Sequence, residues 1–289
     1  MRSSLHPWLL AARVKTLPAA LVPVAVGTAL AARDGALRPE LAVVCGGFAL
    51  LVQVGTNFAN DYFDWVRGAD TPARIGPTRA TASGLVTPAA MRRALWIVFA
   101  AAALIGLPLA VARGPAMVPV GVLCLLAAWG YTGGPYPLAY HQLGDVFVIL
   151  FFGFVAVTGT YYVQAGAVAP GAWVAGAGIG LLCNNLLVVN NARDIETDAA
   201  VGKRTLAVAH GRRFGHAQYA VELALAFALP FVLGWRVGSL TLVAAPLSLR
   251  GLARFRRART GPEYNAILGL SAGALLLYGV VLSAALAWA

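Results

Sequence analysis

Nine long apolar runs constrain the fold of this chain more than any other feature of its sequence. Most of them approach the roughly 20 residues that an α-helix needs to cross the hydrocarbon core of a bilayer. The eighth run is short, and Pro246 interrupts it. The runs therefore predict an all-α, multi-pass membrane protein in which nine transmembrane helices form one bundle around a central cavity. They cover residues 17–33, 40–60, 94–112, 115–131, 144–163, 170–190, 217–235, 237–250 and 264–288.

The overall composition agrees with this prediction. Hydrophobic residues make up 60% of the chain and charged residues only 11%, whereas a soluble domain carries about 25% charged residues. No polar linker, and no linker rich in proline, glycine and serine, divides the 289 residues. We therefore expect a single integral-membrane domain that covers residues 1–289.

The basic residues predict how the chain is oriented in the membrane. A net charge of +11 would suit a nucleic-acid partner in a soluble protein, but in a membrane protein lysine and arginine mark the cytoplasmic loops. With the N-terminus in the cytoplasm, 18 of the 22 basic residues lie on that side. We therefore expect a multi-pass protein of the cell (cytoplasmic) membrane with a cytoplasmic N-terminus and no nucleic-acid partner. The four basic residues on the outer side are Arg33, Arg38, Arg113 and Arg236.

A first acidic motif covers residues 57–70, where the second apolar run ends. Its polar residues recur at i, i+3, i+4 and i+7, a spacing that places them on one face of a helix. Two carboxylates one turn apart, with amides beside them, offer the hard oxygen ligands that suit Mg²⁺ or Ca²⁺ rather than zinc. The residues of this face are Asn57, Asn60, Asp61 and Asp64.

A second acidic motif covers residues 190–198, where the sixth apolar run ends. Asn191, Asp194 and Asp198 are spaced i, i+3 and i+7, so they repeat the polar face of the first motif, with Asn190 beside them. The two motifs hold six of the 11 acidic residues of the chain, and the predicted orientation places both at the cytoplasmic boundary of the membrane. We therefore expect the fold to bring the two acidic faces together in an active site that opens to the cytoplasmic side.

Acidic faces beside basic loops predict a site for a diphosphate. Mg²⁺ held by carboxylates usually takes phosphate oxygens as further ligands. Metal ions and cations that neutralise a leaving diphosphate lower the barrier to breaking its C–O bond, and an apolar chamber above the motifs would suit a prenyl tail and shield a carbocation from water. The basic residues beside the motifs are Arg74, Arg79, Arg193, Lys203 and Arg204.

The two motifs also resemble those of a known family. Asn60-Asp61-x-x-Asp64, together with the motif at 190–198, looks like the motif pair of the UbiA superfamily of intramembrane prenyltransferases. Finer features resemble one branch, the 1,4-dihydroxy-2-naphthoate polyprenyltransferases of menaquinone biosynthesis, and the likeness runs from about residue 7 to residue 215. These features lie at residues 8–18, 60–70, 74–79, 131–138, 144–145 and 190–206.

One position departs from the common pattern of the superfamily. Many members have a third acid four residues after the second, and this chain has Gly68 there, with Asp70 as its next acid. The Gly-x-Asp spacing is similar to that of the naphthoate branch. Two roles for Asp70 stay open at this stage: it is either a metal ligand or a residue that orders the following loop.

The resemblance implies a reaction and a set of site residues. A polyprenyl group is transferred from a polyprenyl diphosphate to an aromatic acid acceptor, 1,4-dihydroxy-2-naphthoate, with loss of diphosphate and CO₂ to give a demethylmenaquinol. Asp61 and Asp64 would hold one Mg²⁺ ion, and Asn60 would assist them. Asp194 and Asp198 would hold a second Mg²⁺ ion. The residues expected to bind the substrates are Lys15, Asn57, Arg74, Arg79, Tyr131, Asn190, Asn191, Arg193 and Lys203.

Two alternative functions are weighed against this one. Another UbiA-type reaction would use a different acceptor, such as 4-hydroxybenzoate, haem or a chlorophyll precursor. A secondary transporter would also carry intramembrane acids, but the acids of the two motifs cluster at one membrane face beside basic loops. Outside the motifs, Asp145 is either a helix cap or a catalytic acid, and Glu222 is either an interface charge or a buried functional acid.

Overall fold

The computed structural model describes residues 5–70 and 75–288 of the chain, and these residues are helical with no β-strand. A π-helix, Ile149–Val155, joins two α-helices, and short 3-10 turns cover Val14–Thr16, Leu138–Tyr140, Leu229–Leu233 and Leu242–Ala244. The α-helices are α1 (His6–Ala12), α2 (Pro18–Arg33), α3 (Pro39–Val66), α4 (Pro88–Arg113), α5 (Met117–Gly130), α6 (Gly144–Val148), α7 (Ala156–Ala165), α8 (Pro170–Arg193), α9 (Ile195–Ala200), α10 (Leu206–Ala228), α11 (Trp235–Thr241), α12 (Ala245–Phe255) and α13 (Gly261–Ala287).

Each of the nine apolar runs lies in a helical segment of the described residues. Six of these segments are long and apolar enough to cross a membrane, and a bent pair, α1 with α2, raises this number to seven. The two segments that fall short are α5 and the broken segment α11–α12, which contains the eighth run. The all-α, multi-pass prediction is therefore confirmed at this level, and the count of nine crossings stays a prediction.

Local sequence signals explain where the helices begin and end. Proline occupies the first turn of α2, α3, α4 and α8, where its missing N–H costs no intrahelical hydrogen bond. Thr87 caps α4 by accepting a hydrogen bond from the backbone N–H of Ala90 at 3.3 Å, and Thr260 and Glu263 form a capping box at the start of α13. Gly166 ends α7 with φ 83°, a conformation that favours glycine.

Helix α8 occupies the centre of the bundle. In its apolar stretch 67% of the residues are buried, against 22–39% in the other five long segments. The main hydrophobic core gathers around it from α2, α7, α10 and α13. Helix α3 packs mainly against α4, with further contacts to α2 and α5. The two helices that end in the acidic motifs are thus α8, at the centre, and α3, in the neighbouring layer.

Backbone contact between glycines fixes the π-helix against α8. A Cβ atom on Gly153 would lie 2.5 Å from the carbonyl oxygen of Gly176 and 2.8 Å from the Cα of Gly180. Small residues of this kind let two membrane helices approach to backbone contact. The π-helix holds one residue more per turn at this contact. Because the contact is made by glycines, the wall formed by α6, the π-helix and α7 lies close to α8.

The glycine contact can be tested with two matched alanine substitutions. Gly180→Ala would place a Cβ atom 2.8 Å from the carbonyl oxygen of Ile149, so we expect a destabilisation of about 1–3 kcal/mol, as for other overpacked sites. Gly269→Ala is the control, because nothing lies within 4 Å of its added Cβ atom. Thermal unfolding of both variants in detergent measures the difference, and equal melting temperatures would contradict the predicted contact.

Candidate active site

The acidic face predicted on α3 points into the protein. Asn57, Asp61 and Asp64 are only 3%, 1% and 5% exposed, and Asn60 is half-buried. Helix α3 continues to Val66, beyond the predicted end of the apolar run, so the motif lies on a regular helix as the spacing predicted. A buried carboxylate needs compensating hydrogen bonds or charges, and each of these acids has them.

Asp61 organises the loop that connects α3 to α4. Its Oδ1 atom accepts a hydrogen bond from the backbone N–H of Thr81 at 2.8 Å, and its Oδ2 atom accepts one from the N–H of Ala80 at 3.0 Å. These hydrogen bonds satisfy the backbone N–H groups of Ala80 and Thr81, which lie in a loop and so have no helical partner. Each carboxylate oxygen retains a second lone pair, so Asp61 can hold the loop and still bind a cation.

Asp64 lies in a chain of charges that continues through Arg79 to Asp70. The Nη2 atom of Arg79 donates to Oδ2 of Asp64 at 2.8 Å, and its Nε atom donates to Oδ1 of Asp70 at 3.3 Å. The Nη1 atom of Arg79 is buried without a hydrogen-bond partner. Of the two roles considered for Asp70, the geometry favours ordering of the loop through Arg79. Arg74 lies outside the described residues.

Arg67 ties the loop after α5 to the end of α3. Its Nη2 atom donates to the carbonyl oxygen of Gly134 at 2.7 Å, and its Nη1 atom donates to the carbonyl oxygen of Thr132. Thr132 in turn donates through its hydroxyl to Oδ1 of Asn60 at 2.8 Å. From the sequence, Arg67 counts only as one of the 18 basic residues on the predicted cytoplasmic side, although its place inside the first motif was a signal that it could act there.

The second motif lies at a break between two helices. Helix α8 ends at Arg193 and α9 begins at Ile195, so Asn191 and Asp198 lie on different helices, and the prediction of one continuous polar face is wrong here. Arg193 forms two hydrogen bonds of 2.7 Å with the carboxylate of Asp194, and its third nitrogen donates to Asn265 of α13 at 2.7 Å. Arg193 therefore holds the break against the last helix.

Asp198 is the least compensated acid of the site. Its Oδ1 atom pairs with the Lys203 ammonium at 3.2 Å, while its Oδ2 atom is buried and has no hydrogen-bond partner in the part of the chain that the structure describes. Burial raises the pKa of the Asp198 carboxyl, and the Lys203 charge opposes this rise. The negative charges of Asp194 and Asp64 raise it further. The two motifs are therefore close enough to repel each other, as the sequence predicted.

Tyr140 lies between the two motifs; the sequence indicates it only as one of several aromatic residues that could stabilise a cation, and its contact with Asp64 was not predicted. Its hydroxyl donates to Oδ1 of Asp64 at 3.1 Å, and its ring lies 5.5 Å from the Arg67 guanidinium and 5.9 Å from the Lys203 ammonium. Burial and the neighbouring Asp64 carboxylate raise the pKa of Tyr140. Its backbone oxygen also accepts the N–H of Arg204 at 3.2 Å. One aromatic side chain thus joins an acid of α3 to the basic loop after α9.

An apolar cavity of about 440 Å³ begins at the first motif and extends into the bundle. Side chains from α2 to α8 line it, and Phe147 and Phe151 stack on its wall with their ring centroids 5.8 Å apart. The predicted apolar chamber is therefore present. Its polar lining residues are Arg13, Thr16, Gln53, Thr56, Asn57, Asn60, Tyr131, Thr160 and Asn190.

The fold brings most of the predicted site residues together and leaves a few apart. Lys15 is exposed, and Asn191 is buried. Asn190 donates to the Leu186 carbonyl oxygen of its own helix at 3.1 Å. The residues that meet at the polar end of the cavity, or directly beyond it, are Asn57, Asn60, Asp61, Asp64, Arg79, Tyr131, Asn190, Arg193, Asp194, Asp198 and Lys203.

The donor atoms at this end of the cavity suit Mg²⁺. They are carboxylate and amide oxygens, and the buried Oδ2 atom of Asp198 has no other partner. Across residues 5–70 and 75–288, no group of three His, Cys, Asp or Glu side chains could hold a metal ion. An ion would therefore share its ligands between these acids, water and substrate oxygens, which is the usual arrangement for Mg²⁺.

Comparison with known proteins places this site in context. The sequence profile of the UbiA prenyltransferase family matches residues 20–268. A 1,4-dihydroxy-2-naphthoate octaprenyltransferase of Mycobacterium tuberculosis is 40% identical over 290 residues, which cover 99% of this chain and 98% of that relative. The Escherichia coli protein of the same name is 38% identical over 263 residues and covers 86% of this chain and 84% of its own length.

A solved structure has the same fold. It is a UbiA homologue from Archaeoglobus fulgidus bound to DMAPP and Mg²⁺, and it superposes with a TM-score of 0.65 at 15% sequence identity. The alignment covers 96% of this chain and 99% of the homologue. The likeness therefore extends over almost the whole bundle.

Proposed function

The chain belongs to the UbiA prenyltransferase family, and from this premise we propose that it transfers a polyprenyl group from a polyprenyl diphosphate to 1,4-dihydroxy-2-naphthoate. Diphosphate and CO₂ are released, and the product is a demethylmenaquinol. The names of two relatives that are 40% and 38% identical support this acceptor. The observation that carries the proposal is the network of Asp64, Arg79, Tyr140, Asp198 and Lys203 beyond the amide-lined end of an apolar cavity.

The substrate diphosphate binds where the cations of the two motifs meet. The Nη1 atom of Arg79 has no hydrogen-bond partner among residues 5–70 and 75–288 and can donate to a phosphate oxygen. The Lys203 ammonium is half-buried beside Asp198 and adds a second positive charge. The prenyl tail extends from there into the apolar cavity. The charged diphosphate of the substrate thus lies beside cations, and its apolar prenyl tail lies among apolar side chains.

The acids of the two motifs hold two Mg²⁺ ions in this proposal. Asp61 and Asp64 bind one ion, and Asp194 and Asp198 bind the other. When bound, the ions supply positive charge that stabilises the leaving diphosphate. Each acid keeps a lone pair for this purpose beside its present hydrogen bonds, and the buried Oδ2 atom of Asp198 gains the partner that it lacks.

The reaction takes place at the boundary between the polar and the apolar ends of the cavity. The C–O bond to the diphosphate breaks, and its electron pair leaves with the oxygen. The ring carbon that bears the carboxylate supplies the electron pair of the new C–C bond, and loss of CO₂ returns a pair to the ring and restores its aromaticity. Tyr131, Phe147 and Phe151 line the cavity, where their ring faces stabilise the allylic cation and their bulk excludes water.

The acceptor enters from the polar end of the cavity. Asn60 and Asn190 line that end and offer amide groups to the ring hydroxyls, while Arg13 and the exposed Lys15 provide positive charge near the acceptor carboxylate. A 4-hydroxybenzoate acceptor is the alternative within the family, but both relatives are named for 1,4-dihydroxy-2-naphthoate. A secondary transporter is disfavoured because the acids of both motifs pair with basic side chains or backbone N–H groups at the helix ends.

We further propose that the chain crosses the cytoplasmic membrane nine times with its N-terminus inside. The support is that each apolar run lies in a helical segment and that most basic residues then face the cytoplasm. In intact cells, a cysteine at Ala167 should react with a membrane-impermeant maleimide, whereas a cysteine at Ser83 should react only after the cells are opened. The unaltered protein is the blank, and the reverse labelling pattern would overturn the orientation.

The proposed reaction predicts a defined product stoichiometry. Purified protein with Mg²⁺, a polyprenyl diphosphate and 1,4-dihydroxy-2-naphthoate should release diphosphate and CO₂ in a one-to-one ratio. The same assay with 4-hydroxybenzoate is the comparison, because a ring that is prenylated beside its hydroxyl group loses a proton from that carbon and keeps its carboxylate. Release of diphosphate without CO₂ from the naphthoate, or turnover of 4-hydroxybenzoate alone, would reject the proposed acceptor.

The metal assignment predicts the behaviour of two conservative variants. Asp64→Asn and Asp198→Asn keep the side-chain shape but remove a charge that holds the cation, so we expect kcat/KM to fall by about 100-fold or more. EDTA should abolish turnover of the unaltered protein, and Mg²⁺ should restore it. Asp34→Asn is the control, because Asp34 pairs with Arg33 and Tyr161 away from the site. Full activity of Asp198→Asn at low Mg²⁺ would remove Asp198 from the metal site.

A further inference from the structure

A second polar cluster lies inside the bundle, apart from the two acidic motifs. It consists of Asp145 at the start of α6, Asn184 of α8, and Gln218 and Glu222 of α10. Asp145, Asn184 and Glu222 are at most 6% exposed. Polar and ionisable groups at such depth are costly in a membrane protein and are usually functional. Neither Asp145 nor Glu222 has a role in the reaction proposed above.

Two amide groups bridge the two acids. The Nδ2 atom of Asn184 donates to Oδ1 of Asp145 at 3.1 Å and to Oε1 of Glu222 at 2.8 Å. The Nε2 atom of Gln218 donates to the same two oxygens, at 2.7 Å and 2.9 Å. Four hydrogen bonds therefore form a closed ring between α6, α8 and α10, and all four amide hydrogens are used.

The charge of this cluster is not balanced if both acids are ionised. Among the described residues, neither Asp145 nor Glu222 takes part in an ion pair, and the ion pairs present involve other acids. Two carboxylates with no cation beside them are strongly disfavoured in an apolar interior, where a group of this kind takes up a proton instead. The cluster therefore needs one added positive charge.

Two unsatisfied atoms show where that charge belongs. Oε2 of Glu222 and Oδ1 of Asn184 are both buried, and neither atom has a hydrogen-bond partner among the described residues. They are the remaining atoms of the two groups that the 2.8 Å hydrogen bond already joins. Both are acceptors when Glu222 is ionised, so they cannot bond to each other. A proton on Oε2 makes it a donor, and one O–H···O bond then satisfies both atoms in a cyclic acid–amide pair.

We propose that Glu222 is a neutral carboxylic acid locked to Asn184 by two hydrogen bonds, and that this lock is a positioning device for the cavity. Asp145 receives the remaining two amide hydrogens, one from Asn184 and one from Gln218. The lock fixes the Asn184 amide, which in turn holds Asp145 at the start of α6, close to the active site: the Tyr131 hydroxyl lies 3.0 Å from the place of a Cβ atom on Gly144. Glu222 is a positioning residue that acts through α6 on the wall formed by Phe147 and Phe151.

Infrared spectroscopy of the full-length protein in detergent tests the protonation state. A neutral buried carboxylic acid has a C=O stretching band well separated from the carboxylate bands, and the band shifts in D₂O. We expect this band in the unaltered protein and its loss in Glu222→Gln. Glu40→Gln is the matched control, because Glu40 is an exposed acid at the start of α3, and this variant should keep the band. Absence of the band, or its persistence in Glu222→Gln, would overturn the proposal.

Enzyme kinetics test the positioning role, and this arm rests on the proposed function while the infrared arm does not. Glu222→Gln can replace the O–H donor with an N–H donor to Asn184, so kcat and KM should stay close to those of the unaltered protein. Glu222→Leu removes both hydrogen bonds to Asn184 and the one from Gln218. We expect kcat to fall about tenfold or more, because the cavity wall formed by Phe147 and Phe151 is then misplaced, with little change in the KM for the polyprenyl diphosphate. Equal loss of activity in the two variants would show that Glu222 works as an anion, either as a base or as a ligand of a cation, and would reject the lock.

Discussion

The cost of burying a carboxylate is the constraint on which the rest of this structure depends. A charged acid taken from water into an apolar interior is stable only beside a cation or several hydrogen-bond donors. At the ends of α3 and α8 these partners are Arg79, Arg193, Lys203 and two backbone N–H groups. Every one of them comes from a loop or a helix end. The acids therefore help to determine how the loops after α3 and α9 fold, because these loops supply the groups that compensate their charge.

The same interactions prepare the site for its substrate. The loop after α3 is held through Arg79, the loop after α5 through Arg67, and the loop after α9 through Lys203. In the proposed function, these cations are placed and partly desolvated before a diphosphate arrives, so little reorganisation is needed in the reaction. One set of groups would then serve both to neutralise the acids and to bind the diphosphate. Tyr140, which lies in the loop after α5, contacts Asp64 and Arg67 at the end of α3 and Lys203 after α9.

Sequence periodicity predicted the features that depend on neighbouring residues. Spacing alone placed Asn57, Asp61 and Asp64 on one buried face, and hydrophobic runs located the helices. The family prediction is confirmed by the profile match and by the relatives. The contact between Tyr140 and Asp64 was missed because the two residues are 76 positions apart in the sequence, and no local pattern encodes such a contact. The break after Arg193 was missed because it depends on Asn265 of the last helix.

The π-helix at Ile149–Val155 has a consequence for how this protein can change over time. A π-turn holds one residue more than an α-turn, so Ile149–Val155 accommodates a residue that would turn all that follows by about 100° if it were inserted into a regular α-helix. Phe147 before this segment, Val155 at its end and Gly159 after it all line the cavity, so the extra residue is taken up without loss of their shared face. Deleting one residue there would restore a regular α-helix and leave both ends of the segment facing the cavity. Loss of one codon is thus a route to a wall that changes only at the bulged turn and leaves both acidic motifs intact.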